Sequence, residues 1–234
     1  MTDGSMQAFG LTLDQFLDHA AKWRPRSEVV TARTDGSTDR IAYADLKVRA
    51  QRISAVLADR GVRVGDRVAT LAFNTQAHVE AWFAIMGMGA VCHTLNLRLT
   101  AEHVAAMVER SQARIVIVSA DLLGLARQIA ERVPQSLELL VIDGPAEGGA
   151  QALEALIAAA ADGYAWGGFA ETAPCGLCFT SGTTGAPKGV TYTHRASFLH
   201  TLRLLQVDTL GVSGADTVLA MVPMFHANAW GLPF

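Results

Sequence analysis

Charge and cysteine are both scarce in this sequence, and each shortage removes a class of protein. Charged residues make up 18% of the 234 residues and sum to a net charge of -3, so no basic stripe exists to track a phosphodiester backbone and nucleic acid is not an expected partner. Three cysteines, Cys92, Cys175 and Cys178, cannot build the disulfide framework of a small secreted domain. The longest apolar run, Ala81 to Cys92, is broken by Gly87 and Gly89 and is too short to span a bilayer. The opening MTDGSMQAFGLTL lacks a basic stretch followed by an apolar core, so no secretory signal is read there. A cytoplasmic location is expected, with peripheral attachment to a membrane left open.

Half of the residues are apolar, enough to bury a substantial core. Cys175 and Cys178 have the spacing of a redox or zinc motif, but they lead into an apolar stretch and no further ligands lie nearby in sequence. Buried, unreactive thiols are the expectation.

The apolar residues alternate between two periods. Leu46, Ala50, Ile53 and Leu57 recur at helical spacing before Gly61, a natural stop. RVATLAF, Arg67 to Phe73, is a short, mostly apolar run without alternation, as a parallel strand covered on both faces should be. Asn74 or Thr75 can cap a helix running to about Met88, and VCHTL, Val91 to Leu95, reads as the next strand. Thr100 caps another helix, with Val104, Met107 and Val108 on its inner face and an end near Ser111. RIVIVS (Arg114 to Ser119), a helix over about Leu122 to Arg132 and LELLVI (Leu137 to Ile142) complete the alternation. This order predicts an α/β fold with largely parallel sheets and flanking helices.

The texture changes after Ile142. The expected organisation is a first α/β subdomain over 1–143, a Gly-rich connection over 144–174 and the start of a second subdomain over 175–234. In that last part GLCFT reads as a strand, RASFLHTLRLL as a helix with Phe198, Leu202 and Leu205 on one face, and TVLAMV as another strand.

Between GLCFT and that helix lies FTSGTTGAPKGV, Phe179 to Val190. Pro187 precedes Lys188, and Gly189 stands where the common nucleotide loop needs a Ser or Thr to hold Mg²⁺. The proline has no N–H and pushes Ala186 away from helical conformation, so Lys188 cannot open a helix that cups phosphates. No G-x-G-x-x-G fingerprint is present either. What remains is a strand entering a loop in which Gly182 and Gly185 allow close backbone approach, Ser181, Thr183 and Thr184 supply hydroxyls, and Lys188 supplies a mobile charge. That inventory suits the β and γ phosphates of ATP; the competing reading is a polar surface turn.

TSGTTGAPKGV, followed by THR at Thr193 to Arg195, resembles the signature of the adenylate-forming superfamily, which holds acyl-CoA synthetases, luciferases and the adenylation domains of peptide synthetases. The order of helices and strands before it is similar to the first part of that family's large N-terminal domain. VPMFHANAWGLPF, Val222 to Phe234, has no aspartate of the kind that holds the amine in amino-acid-activating members. It resembles the fatty-acyl-CoA synthetase version.

The resemblance implies ATP-dependent activation of a carboxylic acid, with Mg²⁺ and with coenzyme A as co-substrate. It assigns Thr180 to phosphate or Mg²⁺ contact, Ser181 to Gly185 to phosphate contact, Lys188 to charge neutralisation, His226 to the acyl carboxylate and adenylate, and Trp230 to gating of the acyl tunnel. Without it, His226 reads as a structural imidazole and Trp230 as a core aromatic. Family members continue past this point with a Mg²⁺-binding glutamate, a ribose-binding aspartate, a hinge and a small C-terminal domain carrying the adenylation lysine. The chain is therefore expected to be the front portion of a larger enzyme, with little turnover alone. A medium- to long-chain fatty acid is the expected substrate and an aryl acid the runner-up. A non-catalytic nucleotide- or acyl-binding module and a phosphate-loop NTPase remain open. Some family members are homodimers, and a front portion alone is expected to associate through surfaces the whole protein covers.

Overall fold

The computed structural model describes Gly4, residues 9–180 and residues 187–234. A seven-stranded sheet forms its centre, in the order β7-β6-β5-β3-β4-β8-β9. The strands are β3 (Arg67–Leu71), β4 (Val91–Thr94), β5 (Ile115–Val118), β6 (Glu138–Val141), β7 (Gln151–Ala152), β8 (Pro174–Thr180) and β9 (Lys188–Thr193). All neighbours are parallel except β8 and β9, which form an antiparallel hairpin. A separate antiparallel pair, β1 (Glu28–Ala32) and β2 (Thr38–Ala42), lies beside the sheet. The expected α/β fold with a largely parallel sheet is thus the one observed.

Helices cover both faces, as β-α-β crossovers require. Buried residues of α1 (Asp14–Trp23), α2 (Tyr43–Asp59), α3 (Gln76–Gly87), α6 (Leu153–Ala159) and α7 (His194–Leu204) share one core with Val68 and Cys92. Those of α4 (Ala101–Ser111) and α5 (Leu123–Ala130) share the other with Ala69, Val116 and Val118. Parallel strands sandwiched this way have no solvent face, which is why β3, β4 and β5 are buried along almost their whole length.

The helix ends follow local chemistry. The four residues expected on the inner face of α2, Leu46, Ala50, Ile53 and Leu57, are all buried. α2 stops at Gly61, whose φ of 80° suits a residue without Cβ; its N–H donates to Ala58 O and that of Val62 to Leu57 O, a Schellman closure. The hydroxyls of Thr75, Thr100 and Thr193 accept from the N–H groups of His78, His103 and Ala196 to cap α3, α4 and α7. Thr75, not Asn74, is therefore the cap of α3.

Two expectations fail in the last forty residues. TVLAMV, Thr217 to Val222, is irregular rather than a strand, and Leu219 and Met221 are 80% and 76% exposed. A strand needs a neighbour for its N–H and C=O groups, and no described residues offer one there. On α7, Phe198 is buried as expected, whereas Leu202 and Leu205 are exposed because nothing among the described residues packs over them. Within 144–174, β7 extends the sheet edge beside β6, α6 packs into the first core, and β8 then enters the same sheet beside β4.

Three buried histidines link this core to pH. Burial lowers the imidazoles of His78 and His194 to about 4 and that of His93 to about 3. They stay neutral in the fold while the unfolded chain takes up protons below about 6.5, so their stabilisation is complete above that pH and is lost as pH falls towards 4. The carboxyls of Asp14 and Glu80, raised by burial, pull the opposite way. With three imidazoles against two carboxyls, the urea midpoint of the chain, followed by tryptophan fluorescence, is expected to fall between pH 7.5 and pH 5; a flat or rising midpoint would contradict the burial of these rings.

Candidate active site

The sheet dictates where a site can form. α3 leaves the carboxyl end of β3 towards one face and α5 leaves β5 towards the other, while β3 and β5 are neighbours. Such a reversal opens a crevice at the carboxyl edge, the usual ligand position in open α/β sheets. The hydroxyl of Ser119 accepts from Phe73 N–H at 3.4 Å across this point.

On the same edge, β8 runs out into the glycine- and threonine-rich loop and β9 returns from it. Thr180 and Lys188 are direct partners in the antiparallel register, so the structure brings these two expected residues together at the neck of the loop. Lys188 opens a strand rather than a helix, in line with the constraint from Pro187. Its side chain is exposed and makes no ion pair among the described residues. Ser181, Gly182, Thr183, Thr184 and Gly185 lie outside the described residues.

The segment 220–231 crosses this edge, held at successive strands. Asn74, just beyond β3, donates to Ala220 O at 3.0 Å and Val222 O at 2.8 Å and accepts from Met224 N–H at 2.8 Å. Arg98, just beyond β4, lies 5.8 Å from the Phe225 ring centroid, a cation-π contact. At β8 the Asn228 Oδ1 accepts from the Cys178 thiol at 3.2 Å. A Cβ on Gly176 would sit 2.8 Å from Asn228 Nδ2, so that glycine is what admits the carboxamide. Trp230 O is 2.9 Å from His200 Nε2.

These anchors hold an unusual backbone. Ala227, Asn228, Ala229 and Trp230 have φ of 45°, 50°, 48° and 56°, a left-handed turn that costs non-glycine residues about 1–2 kcal/mol each and persists only where surroundings impose it. His226 precedes the turn and Trp230 closes it; both are exposed, Trp230 by 61%. No hydrogen bond or ion pair among the described residues links either to Thr180 or Lys188.

The cysteine question closes here. Cys175 Sγ donates to Tyr192 O at 3.3 Å, and Cys178 lies 3.3 Å from Thr94 Oγ1. Burial pushes Cys175 up to about 11 and raises Cys178 as well, so neither supplies a thiolate at neutral pH. No group of three or more His, Cys, Asp or Glu side chains converges among the described residues, and no helix among them is long and apolar enough to cross a membrane.

Comparison with known proteins decides the family. Residues 17–234 match the model of the AMP-binding enzyme. The chain belongs to the AMP-binding enzyme family, within the adenylate-forming superfamily. Over 224 residues it is 42% identical to a long-chain-fatty-acid–CoA ligase of Thermus thermophilus, covering 96% of this chain and 41% of that protein. Over 237 residues it is 35% identical to a medium-chain-fatty-acid–CoA ligase of Ectopseudomonas oleovorans, covering 99% and 43%. Among solved structures, the anthranilate CoA ligase AuaEII in complex with anthranoyl-AMP superposes with a TM-score of 0.85 at 21% identity, covering 99% of this chain and 45% of that one. The similarity to AuaEII is one of fold. This AMP-binding chain spans about two fifths of the length of the relatives it matches.

Asn74, Arg98 and Asn228 went unrecognised in the sequence. The one signal was at Asn74, where two adjacent residues competed to cap a single helix.

Proposed function

We propose that this chain is the front portion of an acyl-CoA synthetase that activates a medium- to long-chain fatty acid with ATP and transfers the acyl group to coenzyme A. The observation that carries the reading is the hairpin neck, where Lys188 faces Thr180 at the carboxyl edge of a parallel sheet. The carboxylate oxygen attacks the α phosphorus and the bond to pyrophosphate breaks; the thiol of coenzyme A then attacks the acyl carbon and AMP leaves. Carboxylates are weak nucleophiles, so the first barrier falls through positioning and through neutralising the leaving pyrophosphate. In this reading Lys188 supplies positive charge, Thr180 and the hydroxyls of Ser181, Thr183 and Thr184 bind phosphate oxygens, and His226 meets the acyl carboxylate and adenylate, with Trp230 at the acyl entrance.

Mg²⁺ belongs to the expectation from the family. Of the residues expected to contact it, only Thr180 is described, and no carboxylate cluster stands among the described residues, so these do not form a metal site by themselves. The fatty-acid reading rests on the names of the two relatives and on the apolar GLPF end of the chain.

The test is pyrophosphate release and acyl-CoA formation by the complete protein, with ATP, coenzyme A and straight-chain acids of increasing length alongside an aryl acid. Acid-dependent turnover that rises with chain length is expected, and little or none from the 234-residue chain alone. ATP hydrolysis without acid would favour an NTPase; nucleotide binding without turnover by the complete protein would favour a binding module.

A further inference from the structure

We infer that Asn74 is a positioning residue that sets the place of His226 by clamping the main chain at the end of β3, two strands from the β8–β9 hairpin. Its carboxamide is fully committed to residues about 150 positions later: the amide donates to Ala220 O at 3.0 Å and Val222 O at 2.8 Å, and the oxygen accepts from Met224 N–H at 2.8 Å. Only one orientation of the group satisfies this set, since two carbonyls require donors and one N–H requires an acceptor. The clamp lies directly before the turn that presents the histidine, in which His226 N–H donates to Pro223 O at 3.0 Å and Ala229 N–H to His226 O at 3.0 Å. Thr75 already caps α3, which leaves Asn74 without a local role.

The surroundings explain why a clamp is needed. Segment 217–221 has no strand partner among the described residues and exposes Val218, Leu219 and Met221, and 227–230 is a left-handed turn. Neither stretch stabilises itself, so the register of 222–226 depends on side chains from the sheet edge. Asn74 contributes three such bonds, to Ala220, Val222 and Met224, and sits at the crevice where α3 and α5 diverge, which ties the segment before the histidine to the end of β3. Aspartate in its place keeps the acceptor for Met224 but turns two donated bonds into repulsions between oxygen atoms. Alanine removes all three.

The catalytic part of this inference rests on the proposed acid activation; the anchoring part does not. Both are tested on the complete protein with Asn74→Ala and Asn74→Asp. Hydrogen exchange at Met224 to His226 is expected to accelerate on the order of tenfold or more in both variants, while α3 keeps wild-type protection. In steady-state kinetics the KM for the acid is expected to rise about tenfold and that for ATP to stay within about twofold, as lost hydrogen bonds on the acid side would give. In a His226→Ala background, Asn74→Ala should then add little to the acid KM. Unchanged exchange at 224–226 would overturn the clamp. Faster exchange with fully additive effects of the two substitutions, or with acid and ATP KM values rising together, would overturn its link to His226. If the wild-type protein activates no acid, the proposed function falls and the exchange measurement alone decides the anchor.

Discussion

Replacing Lys188 by alanine in the complete protein is expected to slow acyl-adenylate formation by about 10²–10³-fold, the loss seen when one group that stabilises developing charge is removed from an active site. The lysine stands at the first position of β9 opposite Thr180, with its side chain in solvent. Its removal leaves no buried group unpaired, so the thermal midpoint should hardly move. In the proposed reaction the effect is chemical: pyrophosphate carries its charge away from the α phosphorus, and a flexible ammonium can follow it. Pyrophosphate release before coenzyme A is added isolates this step. Conversion of pre-formed acyl-adenylate to thioester should keep most of its rate, since no pyrophosphate leaves there. Adenylation within about threefold of wild type would show that Lys188 lies outside the reaction.

Trp82→Ala is expected to cost about 3–5 kcal/mol of stability, the range for emptying a large aromatic site in a core. Trp82 is 0% exposed. Its Nε1–H donates to His78 Nε2 at 3.0 Å, that nitrogen lies 2.9 Å from Thr70 Oγ1, and His78 Nδ1 is 3.0 Å from Phe73 O. With Nδ1–H donating to the Phe73 carbonyl, Nε2 is the acceptor for both tryptophan and threonine, so the substitution removes one of two donors from a ring that cannot reach water. Phe234, 5.7 Å from Trp82 and 6.0 Å from Phe83 between ring centroids, loses its seat as well. Trp82→Phe keeps most of the volume and should cost less than half as much. Urea midpoints of both variants check the ranking; a loss below about 1 kcal/mol for alanine would mean that the site collapses without a cavity.

The alternating elements from α2 to β6 were legible because their signals are local. Period-3.6 and continuous apolar runs report which faces are covered, and Thr75, Thr100 and Gly61 satisfy helix ends through atoms within a few residues. Legibility stopped at β7, which is two residues long and exists by pairing with β6, and at TVLAMV, whose apolar pattern promised a strand that has no partner among the described residues. Strand formation is a property of pairs, and a sequence window contains only one member.

The candidate site divides along the same line. The expectation for the loop from Thr180 to Lys188 could be argued from sequence because Pro187 restricts the backbone by covalent structure alone and Gly189 lacks the hydroxyl of the common nucleotide loop. That Lys188 faces Thr180, that Gly176 makes room for Asn228, and that Asn74 holds residues 220 to 224 were not readable. The first is set by the register of the β8–β9 hairpin, whereas the other two join residues far apart in sequence and depend on where β3 and β8 lie at the carboxyl edge. The sequence by itself determined the alternating elements from α2 to β6 and the residue types brought to the loop, because sterics, capping and hydrophobic period act over a few residues. The tertiary structure decided which atoms meet at the carboxyl edge, because hydrogen bonds of about 3 Å become specific only when packing has fixed the strands that carry them.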